Sequence, residues 1–425
     1  MRSFALVLAL LVTALGGASA TADAGSPFEV WAIDQSNSPG TASGGTLYVY
    51  EGPSLAGTAA ASARPERVDL GGAAQALCLE RTGTAPVRPH MLAFDPSERY
   101  GIVAFVATGH VLFLDGDTRA PVECIDVGAQ AHAAFATPDG RAVLVANQNG
   151  KLLQRITADF ERGTFALDPA ATLNLATCTT PSGAPCEAPG IRPDNAPICP
   201  VVDSSGRFAF VTLRGGGLFI VDVTATPLRI VAEYDRATVH PNGCGGVEAN
   251  GKMYVTSGGG TPANLTELDL YAFRLADVSA TPGPPNSPAP ALVLREDERE
   301  GADAHGTVVT KQGRYLWLGD RGGSRILVVD TATDRLVNEL LLPGHTTPDL
   351  LAASPAGNRI FASLRGSVPL TGDPHVATGS TPGVGVFRVE EGGRAGALQS
   401  VARIANVDAT GVDRADPHAL AVRGG

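Results

Sequence analysis

LWLGDRGGSRILVVDTATDRLVNELLLPGHTTPDLLAASPAGNRIF, residues 316–361, carries most of one repeating unit and the opening of the next. LWLGD is a β-rich run; ILVVD and, after the turn TATD, RLVNELLL are two more, and PDLLAA then opens a new unit ahead of the turn PAGNR. The same order recurs along the chain. Short apolar runs lead into turns such as DPSER (95–99), TPDGR (137–141) and KQGR (311–314), and then into second runs such as YGIVAFV, AVLVANQ, FAFVTLR, MYVTSGG, YLWLGDR and IFASLR. Units begin near residues 90, 132, 198, 243, 305, 349 and 418, which makes seven four-stranded meanders, numbered here as blades 1 to 7. The last stops after one strand, DPHALAVRGG, and the chain's start supplies the missing three: FEVWAIDQ, GTLYVYEG and ERVDLGG. The expected fold is therefore all-β, a seven-bladed β-propeller over residues 25–425, closed by the C-terminal strand completing the blade begun at the N-terminus. Such closure removes the open sheet edge.

Aligned on this unit, VRPHMLAF, AQAHAAFA, ADAHGTVV and RADPHALAV put His90, His132, His305 and His418 in one column, and TTPDLLAA puts Asp349 there. Equivalent positions of a closed radial repeat face a common axis, so these side chains are expected at the mouth of the central channel. Ile198 and Gly243 occupy the other two places and leave one sector open. His240 and His345, in loops before an inner strand, and His110 and His375, between second and third strands, map to the same face. Neutral imidazole suits copper, zinc or iron, whereas calcium wants about six to eight oxygens. Copper is the expected ion, with Asp349 as a weaker fifth ligand and Asp303 and Asp416, two residues before His305 and His418, as acceptors that orient the rings. The structural alternative is that each histidine bonds a neighbouring blade's backbone and locks the ring. Arg214, Arg321 and Arg365 end similar second strands and, with His375 on a lid-like insertion (370–383), form a candidate site for an anionic ligand.

Composition narrows the partners. The 425 residues are 44% hydrophobic and 18% charged, and 51 Gly with 31 Pro supply the turns of an all-β chain. A formal net charge of −11 disfavours nucleic acid and anionic membrane, which leaves a small molecule or a periplasmic protein. Arg2, the apolar run from Phe4 to Leu15 and GGASA read as a signal peptide over residues 1–20, so the protein is expected to be exported, to the periplasm or beyond. That run is too short for a membrane span, and no other segment approaches the needed ~20 residues. No glycine loop precedes a helix, so no nucleotide cofactor is expected. A monomer is expected.

Six cysteines in an exported chain favour disulfides. Cys178 and Cys186 bracket the loop TTPSGAP; Cys199 and Cys244 occupy matching positions in neighbouring repeats; Cys78 and Cys124 pair by elimination. The alternative places Cys199 and Cys244, one residue past the column, at the axis as ligands.

Residues 316–361, and VVDTATDRLV above all, resemble the repeat of YVTN-type propeller proteins, and the other blades match more loosely. The resemblance implies the fold. Its relatives include exported propellers of no known role, lactonase-like enzymes, methylamine dehydrogenase heavy chains and copper enzymes such as nitrous oxide reductase. The chain lacks the Cys-rich copper domain of the last. The expected function is thus a metal-dependent oxidation of a small molecule, against two alternatives: a non-catalytic scaffold binding a protein or envelope component, and a lactonase-like hydrolase.

Overall fold

The computed structural model describes residues 27–258, 268–281, 287–296, 301–368 and 378–424. The stretch read as a signal peptide and His375 lie outside them. Seven antiparallel four-stranded sheets follow one another around a ring. Blade 1 is built from Pro89–Phe94, Tyr100–Phe105, His110–Asp115 and Pro121–Asp126, and blades 2 to 6 repeat that order. In blade 7 the strand Pro417–Arg423 lies innermost and pairs with Glu29–Asp34, which pairs with Thr46–Glu51 and then Glu66–Asp69. The closure read from the sequence is therefore present, and the chain's two ends are hydrogen-bonded within one sheet. Among the described residues no helix is long and apolar enough to cross a membrane.

The second strands are apolar throughout because both of their faces are covered. In Tyr315–Asp320 of blade 5, Leu316 and Leu318 pack toward Tyr254 and Leu270 of blade 4, while Trp317 between them packs against Ile360 and Phe387 of blade 6. Period-2 alternation thus sends successive side chains into two different cores. Each of the seven hydrophobic clusters mixes residues of adjacent blades in this way. No blade has a core of its own, so the fold is stable only as a ring.

All three expected disulfides form: Cys78–Cys124, Cys178–Cys186 and Cys199–Cys244. The first ties the outer strand of blade 1 to a helix, Ala73–Thr82, that the strand pattern did not foretell. AAQALCLERT consists largely of good helix formers and stops at Gly83, which takes the left-handed conformation with φ 79°. Just ahead of the outer strand of blade 4, Ser287 Oγ accepts from Glu233 N and Pro288 O from the Tyr234 hydroxyl of blade 3.

Candidate functional site at the channel mouth

Every column residue from His90 to His418 sits in a break of register. The pairing of the inner with the second strand slips between Pro89 and Met91, Ala131 and Ala133, Ala304 and Thr307, and Pro348 and Leu351, and again around His418. A bulge places an extra residue on the inner strand and turns its side chain out of the sheet, here toward the axis. Hydroxyls of the second strands fill the bulges. Ser363 Oγ accepts from Leu350 N and donates to His418 O of the next blade, and Thr212 Oγ1 accepts from Cys199 N and donates to Gly243 O. Backbone groups that the bulge unpairs are thereby satisfied and the inner strands are linked.

The four imidazoles form one arc. His90 stacks on His418 with centroids 3.7 Å apart, His132 meets the edge of His90 at 4.7 Å, and His305 that of His418 at 5.2 Å. Three of the rings are fixed through Nδ1: His132 to Ile198 O at 2.9 Å, His418 to His90 O at 3.0 Å, and His90 to Gln35 Oε1 at 3.0 Å. Carbonyl oxygens only accept, so these nitrogens carry the proton and the Nε2 lone pairs are left for the cavity. The interblade locking that was the structural alternative is thus present, and it is the same bonding that readies the rings as bases or ligands. His305 Nδ1 lies 2.7 Å from Asp349 Oδ1, although the carboxylate stands off the ring's hydrogen-bonding direction. Burial lowers all four basicities: His132 is pushed down to about 3, and His90 and His418 lie well below the ordinary histidine value. All four rings are neutral at neutral pH.

Asp349 is a hub rather than an open ligand. Its carboxylate receives Arg365 Nη1 at 2.9 Å and Arg321 Nη1 at 3.4 Å, and His418 Nε2 stands 3.7 Å away. Burial works against its charge, but the guanidiniums of Arg321 and Arg365 outweigh it and hold the carboxyl well below its usual range. Asp303 and Asp416 serve the arginines instead of the rings two residues on. Arg321 Nε bonds Asp303 Oδ2 at 2.7 Å, and Arg365 grips Asp416 through Nε at 2.6 Å and Nη2 at 2.8 Å. Arg321 and Arg365 line the cavity, but their charge is spent on these carboxylates. Arg214 is exposed at the rim and makes no ion pair among the described residues.

The cavity, about 120 Å³, is lined by two concentric rings. One is the histidine arc with Ile198. The other is the residue at the end of every second strand: Gln35, Val106, Gln148, Arg214, Gly258, Arg321 and Arg365. Arg88, Gln130 and Asn242 complete it. The sector of blades 3 and 4, which the column leaves without a histidine, is closed by Ile198 and the Cys199–Cys244 bridge. Gln35, Gln130 and Arg88 were missed in the sequence. Gln35 ends FEVWAIDQ just as Arg365 ends IFASLR, while Arg88 and Gln130 stand two residues before His90 and His132, as Asp303 does before His305. Several polar atoms facing this space have no partner among the described residues: His90 Nε2, Gln130 Oε1, and both Nε2 and Oε1 of Gln148, which is 1% exposed. Buried polar groups are rarely left so, and their convergence on one cavity makes it the candidate site for a polar ligand.

Two sets of possible metal donors occur among the described residues, the ligand atoms of each lying within 4.8 Å of one another. The first is His305, Asp349 and His418; the second is His132, Cys199 and Cys244, whose sulfurs are joined in a disulfide. The four histidines do not share one point.

No family model matches the chain, and no curated protein is similar to it in sequence. Solved structures share its fold. A periplasmic gluconolactonase from Pseudomonas aeruginosa is 14% identical, with 94% of this chain and 99% of that one covered and a TM-score of 0.58. A protein from Lactobacillus plantarum is 10% identical over 94% and 100%, TM-score 0.61. A candidate 6-phosphogluconolactonase from Bacteroides uniformis is 14% identical over 93% and 99%, TM-score 0.57. At such identities the likeness is one of fold.

Proposed function

We propose that the protein is an exported lactone hydrolase acting on a polyhydroxylated, sugar-derived lactone held at the channel mouth. The observation that carries this reading is the unpartnered Nε2 of His90, a neutral imidazole fixed through its other nitrogen, in a cavity shared with the unpaired amide of Gln148 and with Arg214. Gln148 offers one donor and one acceptor side by side, the pattern that a ligand hydroxyl completes. In the reaction, His90 Nε2 takes a proton from water while the water oxygen adds to the lactone carbonyl carbon. Negative charge on the carbonyl oxygen is met by Arg214. The ring C–O bond then breaks, the departing alkoxide takes the proton back from His90, and a hydroxy acid leaves. Full-length likeness to proteins described as gluconolactonases supports the substrate class, and three disulfides support an oxidising compartment.

A second reading rests on the donor set of His305, Asp349 and His418, which a copper or zinc ion could join as redox centre or Lewis acid. It ranks second because Arg365 and Arg321 already neutralise Asp349 and would repel a cation placed there. The experiment is acid release from δ-gluconolactone followed in a pH-stat, with purified protein before and after chelation, beside His90→Ala. Chelator-resistant hydrolysis lost in His90→Ala supports the hydrolase. Absence of lactone turnover, with near-stoichiometric copper or zinc that disappears in His305→Ala/His418→Ala, would put the metal reading in its place.

A further inference from the structure

We propose that Gln35 is a positioning residue that fixes the tautomer of His90, through a relay assembled only when the ends of the chain close the ring. The relay runs Asp349–Arg365–Asp416–Gln35–His90. Arg365 bonds Asp349 with Nη1 and Asp416 with Nε and Nη2, so the Asp416 carboxylate is held at a set angle. Gln35 Nε2 donates to Asp416 Oδ2 at 2.7 Å, and the Gln35 backbone N donates to Asp416 O at 3.2 Å. Gln35 is fully buried. A carboxylate accepts and cannot donate, so the nitrogen end of the Gln35 amide must face Asp416 and the oxygen end must face His90 Nδ1. An amide oxygen likewise only accepts. The proton of neutral His90 is therefore on Nδ1, and the lone pair of Nε2 faces the cavity, where it has no partner.

His132 and His418 take their acceptors from backbone carbonyls, which any sequence would supply. Of the three rings fixed through Nδ1, only His90 depends on a side chain for this, and that side chain belongs to blade 7. Gln35 follows the first strand of the chain, Glu29–Asp34, and Asp416 precedes the last, Pro417–Arg423. Asp34 adds to the junction by accepting from Asp416 N at 2.8 Å and from Asn406 Nδ2 at 3.1 Å. Pairing of the terminal strands thus builds the bond that orients the base of the proposed hydrolase, and the kinetic consequence rests on that reading.

The test separates the two. Long-range proton–nitrogen correlation spectra of 15N-labelled protein report which imidazole nitrogen carries hydrogen, with His90 assigned by the signals missing in His90→Gln. The wild type should show His90 protonated on Nδ1, and Gln35→Leu should show Nε2–H or a mixture. Gln35→Glu, which can carry a proton toward Asp416 and accept from His90, should restore Nδ1–H. On δ-gluconolactone, Gln35→Leu should lower kcat by ~10²-fold with KM little changed, and Gln35→Glu should recover much of it. An Nε2–H tautomer in the wild type would overturn the proposal, as would an unchanged His90 tautomer in folded Gln35→Leu. If the wild type hydrolyses no lactone, the tautomer result still decides the role of Gln35, and only the hydrolase reading falls.

Discussion

At the scale of single residues the site is governed by how buried charges are shared. Arg321 and Arg365 face Asp303, Asp349 and Asp416 inside the ring, so each cation is matched before any ligand arrives. Breaking such a set costs more than forming it gains, because the survivor is left buried and unpaired. Asp349→Asn is therefore expected to destabilise the fold by ~3–5 kcal/mol in urea unfolding, whereas Arg214→Ala at the exposed rim should leave the midpoint unchanged. The imidazoles set the pH response. Loss of base function requires protonation, and burial holds His90 well below the ordinary histidine value. The kcat/KM profile for lactone hydrolysis should accordingly show no acidic limb near pH 6.5; a limb there would mean that the base is a solvent-exposed group instead.

At the scale of elements, the inner strands owe their precision to bulges and to close backbone approach. A Cβ at position 245 would collide with the carbonyl oxygen of His305 on the next blade. Gly245→Ala should therefore push blades 4 and 5 apart at the axis, lowering stability by ~1–3 kcal/mol and displacing His305 from Asp349. The Cys199–Cys244 bridge spans the same pair of inner strands that lacks column histidines. Its removal in Cys199→Ala/Cys244→Ala is expected to cost ~2–5 kcal/mol by denaturant unfolding. Strand positions were legible in the sequence because the second strands, apolar on both faces and separated by Gly- and Asp-bearing turns, leave no competing period. Helix Ala73–Thr82 was not, since it falls outside the repeat and earns its place by docking on blade 1 through Cys78.

At the scale of the whole molecule, stability belongs to the closed ring. Deleting residues 417–425 would leave strand Glu29–Asp34 without its inner partner and remove His418 from the arc. The expected outcome is association or aggregation in size-exclusion chromatography, as an unpaired strand edge invites. The dependence on pH follows from proton uptake. His132 binds a proton near pH 3 when folded but near 6.5 when unfolded, so the stability it contributes above pH 6.5 is lost as pH falls through that window. His90, His305 and His418 act with the same sign. Asp34 opposes them: burial raises it to about 6, so the folded state takes up its proton first and gains stability as pH falls from about 6 toward 3.8. Four imidazoles outweigh this carboxyl, and the melting temperature should fall from pH 7 to pH 4.5 in a thermal scan.

The sequence by itself determined the ring, its seven blades, the strand that closes it, the three cysteine pairs and the histidine column, because repetition makes one local pattern visible many times over. It also marked three second strands as ending in arginine, Arg214, Arg321 and Arg365. Only the tertiary structure decided what these groups do to one another. That Asp303 and Asp416 hold arginines, that Asp349 is neutralised, and that Gln35 rather than a neighbouring aspartate turns His90 depend on which side chains meet across blades. Such meetings, within the closing blade as well as between blades, join residues as far apart in sequence as Gln35 and Asp416, 381 positions. No local period encodes them; they exist because burial around a shared axis forces every polar group there to find a partner.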